Sequence, residues 1–285
     1  MTYIPVEKVA GLSRDEFREN YLRPGKPVVF KDLAKDWPAT TNWTFDYFRE
    51  HYGHWEVPMY DGTYHKPGKG YMQPASHKKF DEYLDQIEAG PTRLRLHNFQ
   101  LLKLAPELTE HYSTPTIMDG FYKFALMFFG GKDARLNLHY DIDCSHVFLT
   151  HFQTQKKVYL YSPDQNTNLY QLPFTNHSHV DVLEPDLERY PAFLRAKGME
   201  ATIEHGETLF IPQLWWHYVY YSEGGFSLAL RANDSLKTKA RGAWNLVRCF
   251  AIDQGMNYVA GSKWKEYKDN KAQKNAEAVV QGVAS

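Results

Sequence analysis

Between about residues 93 and 232, short runs rich in Val, Tyr, Phe and Leu alternate with turn residues. Runs of this length and composition are typical of β-strands. Many closely spaced strands favour a sandwich or a barrel over a helical fold. The pattern predicts strands at 93–97, 122–129, 135–140, 146–153, 156–161, 199–204, 208–212, 216–222 and 226–232.

The first ninety residues mix helical and strand-like segments. Ser13 and Glu16 form a capping-box pattern, which marks the start of a helix. Apolar residues recur at helical spacing further along, and a run at 27–30 is strand-like. The pattern predicts helices at 13–21, 44–52 and 76–90.

The pattern becomes helical again in two later places. The segment DLERYPAFLRAK at 186–197 is interpreted as a helical insertion, and a helical pattern resumes after Asp234. We therefore expect a mainly β domain over 1–235 and a helical segment over 236–285.

Composition narrows the class of protein. The 285 residues are 43% hydrophobic and 24% charged, as in ordinary globular proteins, and no apolar run is long enough to cross a membrane. The N-terminus lacks the pattern of a secretory signal, so a cytoplasmic location is expected. Cys144 and Cys249 are expected to be reduced thiols. A formal net charge of -1 argues against nucleic acid as a partner.

Candidate chemistry lies in Leu138-His139-Tyr140-Asp141. Residues two apart in a strand face the same side, so His139 and Asp141 can present ligands to one ion. His217, which follows two Trp residues, is a candidate third ligand. Two histidines and one carboxylate form a facial triad suited to non-haem iron(II). The alternative is a hydrogen-bonded pair at a strand end.

Several longer motifs surround these residues. They are PGKPVV at 24–29, DWP at 36–38, KKVYLYSPDQ at 156–165, GETLFIP at 206–212 and WWH at 215–217. Together they resemble the JmjC and cupin-like 2-oxoglutarate-dependent oxygenases over most of the first 235 residues. The pattern is closest to the asparaginyl hydroxylase that acts on hypoxia-inducible factor. The resemblance implies a double-stranded β-helix, a jelly-roll barrel, with flanking N-terminal and C-terminal helices.

The resemblance also assigns roles to residues. It implies that His139, Asp141 and His217 bind Fe(II), and that Lys156 binds the far carboxylate of 2-oxoglutarate. A buried ammonium can pair with such a carboxylate. The alternative for Lys156 is a solvated lysine at a sheet edge, the role expected for Lys157.

The chain also departs from the family pattern. Leu136 stands where relatives often carry Thr or Ser three residues before the first ligand. Arg231 stands near a frequent Asn, and its guanidinium could bind the co-substrate or hold a loop through an ion pair. Arg95 lies near a family Tyr that touches the co-substrate, and a matching Asn cannot be placed among Ser145, His146 and Val147.

Three other sets of residues are candidates for the site. His151 is a further candidate for the co-substrate, with a hydrogen-bonding position in the core as its alternative. The segment around His177, His179 and Asp181 offers potential metal ligands, but it lies in a loop-like stretch. Trp215 and Trp216 are expected to pack the barrel and its rim.

The resulting functional hypothesis is an Fe(II)- and 2-oxoglutarate-dependent hydroxylase that uses dioxygen. A protein or peptide side chain is the expected substrate. The alternatives are an oxygenase acting on tRNA or a small molecule, and a catalytically silent cupin-type binding protein. The C-terminal helices resemble dimerising helices of the family, which implies a homodimer formed through Trp244, Leu246, Val247 and Phe250.

Overall fold

The structure, a computed structural model, describes residues 2–62, 64, 73–97 and 99–281. Short strands dominate the middle of the chain. Within the described residues they are β1 (Ile4–Pro5), β2 (Lys8–Val9), β3 (Val28–Phe30), β4 (Glu56–Met59), β5 (Ser76–Lys79), β6 (Arg95–Leu96), β7 (Phe121–Gly130), β8 (Arg135–His139), β9 (His146–Phe152), β10 (Lys156–Tyr161), β11 (Gly198–Ile203), β12 (Thr208–Ile211), β13 (Trp216–Tyr220) and β14 (Gly225–Ala232).

These strands form two main sheets and one small hairpin. One sheet has the order β2-β3-β12-β9-β14-β7-β6, the other has the order β1-β11-β10-β13-β8, and β4 pairs with β5. Apolar side chains from both main sheets share one core cluster, in which Leu149 and Leu209 meet Val158 and Leu160. The mainly β, jelly-roll prediction is therefore confirmed.

Helices precede and follow the barrel strands along the chain. In order they are α1 (Arg14–Phe17), α2 (Pro38–Asn42), α3 (Phe45–Tyr52), α4 (Phe80–Ala89), α5 (Leu101–Leu104), α6 (Leu236–Val247) and α7 (Gly255–Val280), with π-helical turns at Arg18–Leu22 and Arg248–Gln254. The capping box of Ser13 and Glu16 forms as predicted. None of the described helices is long and apolar enough to span a membrane.

Two of the helix predictions made from the sequence are wrong in part. Residues from Ser76 to Lys79 do not begin a helix, because they pair with Glu56–Met59 as a hairpin, and α4 begins only at Phe80. The predicted insertion at 186–197 contains only a 3-10 turn at Pro191–Arg195. Pro191 has a fixed φ angle and no backbone N–H, so it can start a helical turn but cannot continue one.

The nine predicted barrel strands all form, with ends within a few residues of those expected. Only the first is much shorter, because β6 keeps just Arg95 and Leu96 of the run at 93–97. Register then positions the chemistry. His139 on β8 pairs with His217 on β13, so the two imidazoles begin as cross-strand neighbours.

Candidate metal centre

Three side chains distant in sequence converge at the ends of β8 and β13. The ligand atoms of His139, Asp141 and His217 all lie within 4.8 Å of one another. The ring centroids of the two histidines are 4.2 Å apart, and His217 Nε2 is 3.9 Å from Asp141 Oδ2. The structure therefore brings together the three residues that the sequence proposed as ligands.

Backbone carbonyls fix both imidazoles. His139 Nδ1 lies 2.8 Å from the carbonyl of Asn137, and His217 Nδ1 lies 3.1 Å from that of Trp215. A carbonyl can only accept, so each Nδ1 carries the proton and each Nε2 keeps its lone pair. Burial lowers the pKa of His217 more than the charge of Asp141 raises it, which favours the neutral, metal-binding form.

Arg231 holds the carboxylate of this cluster. Its guanidinium forms ion pairs with Asp141 Oδ1 and, at 3.1 Å, with Asp143 Oδ1. Burial by itself would raise the pKa of Asp141, but Arg231, His217 and His139 together outweigh this effect, so the pKa lies below the usual value. Asp141 thus stays ionised, with one oxygen held by Arg231 and the other on the side of His217.

Of the two roles left open for Arg231, the structure shows the ion pair. Both terminal nitrogens face carboxylates of the 141–143 loop, although the side chain also lines the cavity. That Arg231 binds the co-substrate stays a prediction.

A cavity of about 460 Å³ opens beside the three ligands and is lined mainly by apolar side chains. Leu136 is among them, because the pairing of β8 with β13 is irregular: His217 faces His139, but Val219 faces Leu136. The extra residue on β8 is a β-bulge, which brings Leu136 to the side of His139 despite their odd spacing. The departure at Leu136 therefore affects the cavity itself.

Lys156 enters the same cavity from β10. The residue is 1% exposed, and its Nζ lies 4.6 Å from the ring centroid of Tyr221. Burial lowers its pKa to about 7. Its neighbour Lys157 points outward and pairs with Glu200 at 3.0 Å. Strand alternation correctly predicts that only one of the two lysines faces inward, although the co-substrate role of Lys156 stays a prediction.

His151 is not brought to the cavity. It is fully buried, its Nδ1 is 3.0 Å from Ser227 Oγ, and its Nε2 is 3.1 Å from Thr154 Oγ1. Both ring nitrogens are thus used inside the core. This correction matches the hydrogen-bonding alternative for His151, and no co-substrate role is proposed for it.

The remaining candidates separate into lining and structural residues. Val147 lines the cavity, whereas Ser145 donates to Asp143 and His146 accepts from the backbone N–H of Gln213. Trp216 is fully buried and donates to Asn166, as expected for barrel packing.

The segment around His177, His179 and Asp181, the second candidate metal site, also contains both structural and cavity-lining residues. Asp181 accepts from Arg135 and Tyr218, and His179 lies 3.4 Å from Asp269, so neither faces the three ligands. His177 does line the cavity, and its backbone forms an isolated antiparallel β-bridge with that of His139.

The sequence missed several lining residues. Asn137 could have been found, since it lies two before His139 on the same strand. Asn176 reaches the cavity through a loop, and Phe250 and Gln254 reach it from the C-terminal helical segment. No local pattern marks these three residues as lining the cavity, because only the tertiary fold brings them near the ligands.

The donor set fits a divalent transition metal. Two imidazole nitrogens and one ionised carboxylate oxygen meet in a largely buried site, with an open cavity on one side. The fold and the site together define a cupin-type barrel with a facial set of metal ligands. A family model described as a cupin-like domain matches residues 14–233, and the chain therefore belongs to that family.

Relatives extend this assignment to JmjC proteins. The chain is 32% identical over 230 residues to lysine-specific demethylase 8 of Danio rerio, covering 76% of this chain and 55% of the relative. It is 29% identical over 245 residues to tRNA wybutosine-synthesizing protein 5 of Gallus gallus, covering 79% and 76%. It is 28% identical over 249 residues to JmjC domain-containing protein D of Dictyostelium discoideum, covering 76% and 53%.

These findings confirm the JmjC and cupin-like resemblance drawn from the sequence. The chain spans about half the length of the demethylase relatives. The closer likeness to the asparaginyl hydroxylase stays a prediction.

Proposed function

We propose that the chain is an Fe(II)- and 2-oxoglutarate-dependent oxygenase that hydroxylates a protein side chain. The observation that carries the proposal is the meeting of His139, Asp141 and His217 in a cavity that also holds the buried Lys156. Such a ligand set leaves positions free for a chelating co-substrate and for dioxygen. Iron(II) held there supplies oxygen activation coupled to oxidative decarboxylation of 2-oxoglutarate.

The chain's own residues orient and protect this chemistry. The carbonyls of Asn137 and Trp215 fix the two imidazoles, and Arg231 fixes the carboxylate. Lys156 would hold the far carboxylate of the co-substrate through a charge-assisted hydrogen bond. Leu136 offers no hydroxyl to the co-substrate. Lys156 would therefore contribute more to binding the far carboxylate than in relatives that carry Thr or Ser at the position of Leu136.

A protein substrate is supported by the names of the demethylase relatives. Activity on tRNA is the second candidate, because the wybutosine-synthesizing relative matches this chain over about three quarters of both proteins. The expectation that nucleic acid is no partner thus stays untested, and this relative speaks against it. Hydroxylation and demethylation differ in product, so the choice between them belongs to the experiment.

The first test is uncoupled turnover. Purified protein with iron(II), 2-oxoglutarate and oxygen is expected to form succinate, whereas the His217→Ala variant is not. Absence of succinate from the iron-loaded wild type contradicts the proposal and favours the silent binding protein. Mass spectrometry of treated peptides and tRNA then identifies the substrate class by a gain of one oxygen or a loss of a methyl group.

The homodimer is proposed on the exposed apolar side chains of the C-terminal segment. Trp244 is 64% exposed, and Val247 and Phe250 are about half exposed. Exposed large side chains grouped on one helical segment are typical of an interaction face. Sedimentation is expected to show a dimer that Trp244→Glu converts to a monomer. A monomeric wild type at high concentration contradicts the proposal.

A further inference from the structure

A second buried cation lines the cavity. Arg95 on β6 is 7% exposed, and its Nε has no hydrogen-bond partner. One terminal nitrogen donates to the carbonyl of Asp61 over a long 3.4 Å. Among the described residues, no carboxylate oxygen forms an ion pair with Arg95, and the stretches outside them contain no Asp or Glu.

Burying the guanidinium of Arg95 costs free energy, because a charged group loses its hydration. Burial lowers the pKa of Arg95, and the charge of Asp61 offsets only part of that effect. Arginine nevertheless stays charged in proteins, so the side chain cannot escape the cost by losing its proton. Buried charges in proteins are usually paired with an opposite charge. Arg95 therefore indicates an anion in the cavity.

The anion at Arg95 is distinct from the one proposed at Lys156. Lys156 enters the cavity from β10 in the five-stranded sheet, whereas Arg95 enters it from β6 at the edge of the seven-stranded sheet. Both cations lie near Tyr221, since Lys156 sits over its ring and the charge of Arg95 offsets part of the rise in the pKa of its hydroxyl that burial causes. The two cations therefore occupy separate positions around one aromatic side chain.

The charges of the loaded site lead to the same conclusion. The group formed by Asp141, Arg231 and Asp143 carries a net -1. A divalent metal, a 2-oxoglutarate dianion and a protonated Lys156 together add +1, so the sum is zero. Among the described residues that line the cavity, the positive charge of Arg95 is then left over, and Asp61, whose charge offsets part of the effect of burial on Arg95, does not line the cavity.

We infer that Arg95 binds a carboxylate of the primary substrate, so that the substrate is an acidic peptide segment with Asp or Glu near the reacting residue. The inference rests on the proposed function. A guanidinium fork matches a carboxylate in two parallel hydrogen bonds, and apolar surroundings strengthen such a pair. The cavity has room for it beside a co-substrate, since it holds about 460 Å³.

The test uses protein loaded with Mn²⁺ and 2-oxoglutarate, which binds without turnover, and a random peptide library. Wild type is expected to select peptides with an acidic residue at a fixed position. Replacing that acid by its amide should weaken binding about tenfold, the usual effect of losing one charged hydrogen bond. Arg95→Gln should abolish this difference, and Arg95→Lys should restore part of it. Arg93→Gln is the matched control, because Arg93 is exposed and does not line the cavity.

The outcomes are distinct. A selection without an acidic position overturns the inference, and so does an Arg95→Gln variant that keeps the preference for the acid. If Arg95→Gln weakens 2-oxoglutarate binding as much as Lys156→Met does, Arg95 belongs to the co-substrate site and the inference is wrong. Selective binding of RNA over acidic peptides also overturns it. Succinate formation by iron-loaded wild type is measured separately, so that failure of the proposed function is recognised as such.

Discussion

Two parts of the cavity differ in whether their buried charges have partners within the protein. The metal cluster, formed by His139, Asp141, His217 and Arg231, holds both imidazoles and the Asp141 carboxylate within the protein through carbonyls and an ion pair. The cation pair, Lys156 and Arg95, is buried without a carboxylate partner among the described residues. Buried charge is stable only when it is paired. The metal cluster is therefore preassembled, whereas the cation pair needs anionic ligands to complete it.

The largest expected effect comes from breaking the metal cluster. His217→Ala removes one of three ligands and should abolish succinate formation. Its metal affinity should fall by more than the roughly 10–100-fold that follows loss of an outer partner of a ligand. Titration with Mn²⁺ measures this, and His54→Ala, at an exposed position away from the cavity, is the control. A variant that binds Mn²⁺ like wild type would remove His217 from the ligand set.

On the other side of the comparison, Lys156→Met should weaken 2-oxoglutarate binding by about 10–100-fold, since a hydrogen bond to a charged group contributes about 1.5–3 kcal/mol. Metal affinity should change little, because Lys156 contacts none of the ligands. Calorimetry of the Mn²⁺-loaded protein measures both constants. Lys157→Met, on the outward face of the same strand, should leave both unchanged. Equal effects at the two positions would contradict the inward role.

Arg231→Gln tests whether the metal cluster depends on its ion pair. The change leaves Asp141 and Asp143 without their common cation, so metal affinity should fall by about tenfold, at the low end for an outer partner. Arg231→Lys keeps the charge but loses the planar fork, and it should restore part of the affinity. Unchanged Mn²⁺ binding in Arg231→Gln, together with weakened 2-oxoglutarate binding, would instead favour the co-substrate role.

The pH dependence distinguishes the two parts again. A lysine is charged below its pKa and neutral above it, and the pKa of Lys156 is about 7 in the free protein. Binding of 2-oxoglutarate should therefore be tightest below pH 7 and about fivefold weaker at pH 8 than at pH 7. The measurement is the dissociation constant across this range with Mn²⁺ present. Lys156→Met should flatten the profile, and a flat profile in wild type would contradict the shifted pKa.

The pairing of His139 with Asp141 and the inward direction of Lys156 could be predicted from sequence because strand alternation is a local rule. It groups His139 with Asp141 and separates Lys156 from Lys157. Long-range pairing follows no such rule. Arg231 meets Asp141 across the barrel, from β14 in one sheet to the end of β8 in the other. The strand order that brings them together is invisible in either segment alone.

Two other features could not be predicted from the sequence, for related reasons. The bulge on β8 breaks alternation, so the inward direction of Leu136 follows from the pairing with β13 and not from spacing. Arg95 was noticed only through the family pattern, and its lack of a counter-ion is a property of the folded cavity. Sequence thus predicts which strands form, but not which buried charges remain uncompensated.

The last and smallest effect concerns how the C-terminal helices support the metal cluster. A Cβ added at Gly242 on α6 would lie 2.2 Å from the carbonyl oxygen of Asp143, and the nearby Asn245 side chain donates to the carbonyl of Ile142 at 2.7 Å. Helix α6 is thus seated directly on the loop that follows Asp141. Gly242→Ala forces that loop or the helix to move, and such overpacking costs about 1–3 kcal/mol.

This cost corresponds to a fall of a few degrees in Tm, which calorimetry measures together with a weaker Mn²⁺ affinity. Gly255→Ala is the matched control, because a Cβ there meets nothing within 4 Å and alanine favours the helix by about 0.8–1 kcal/mol. The two substitutions should therefore shift Tm in opposite directions. If Gly242→Ala also raised Tm, the loop would be free to adjust, and the preassembly of the metal cluster would not depend on α6.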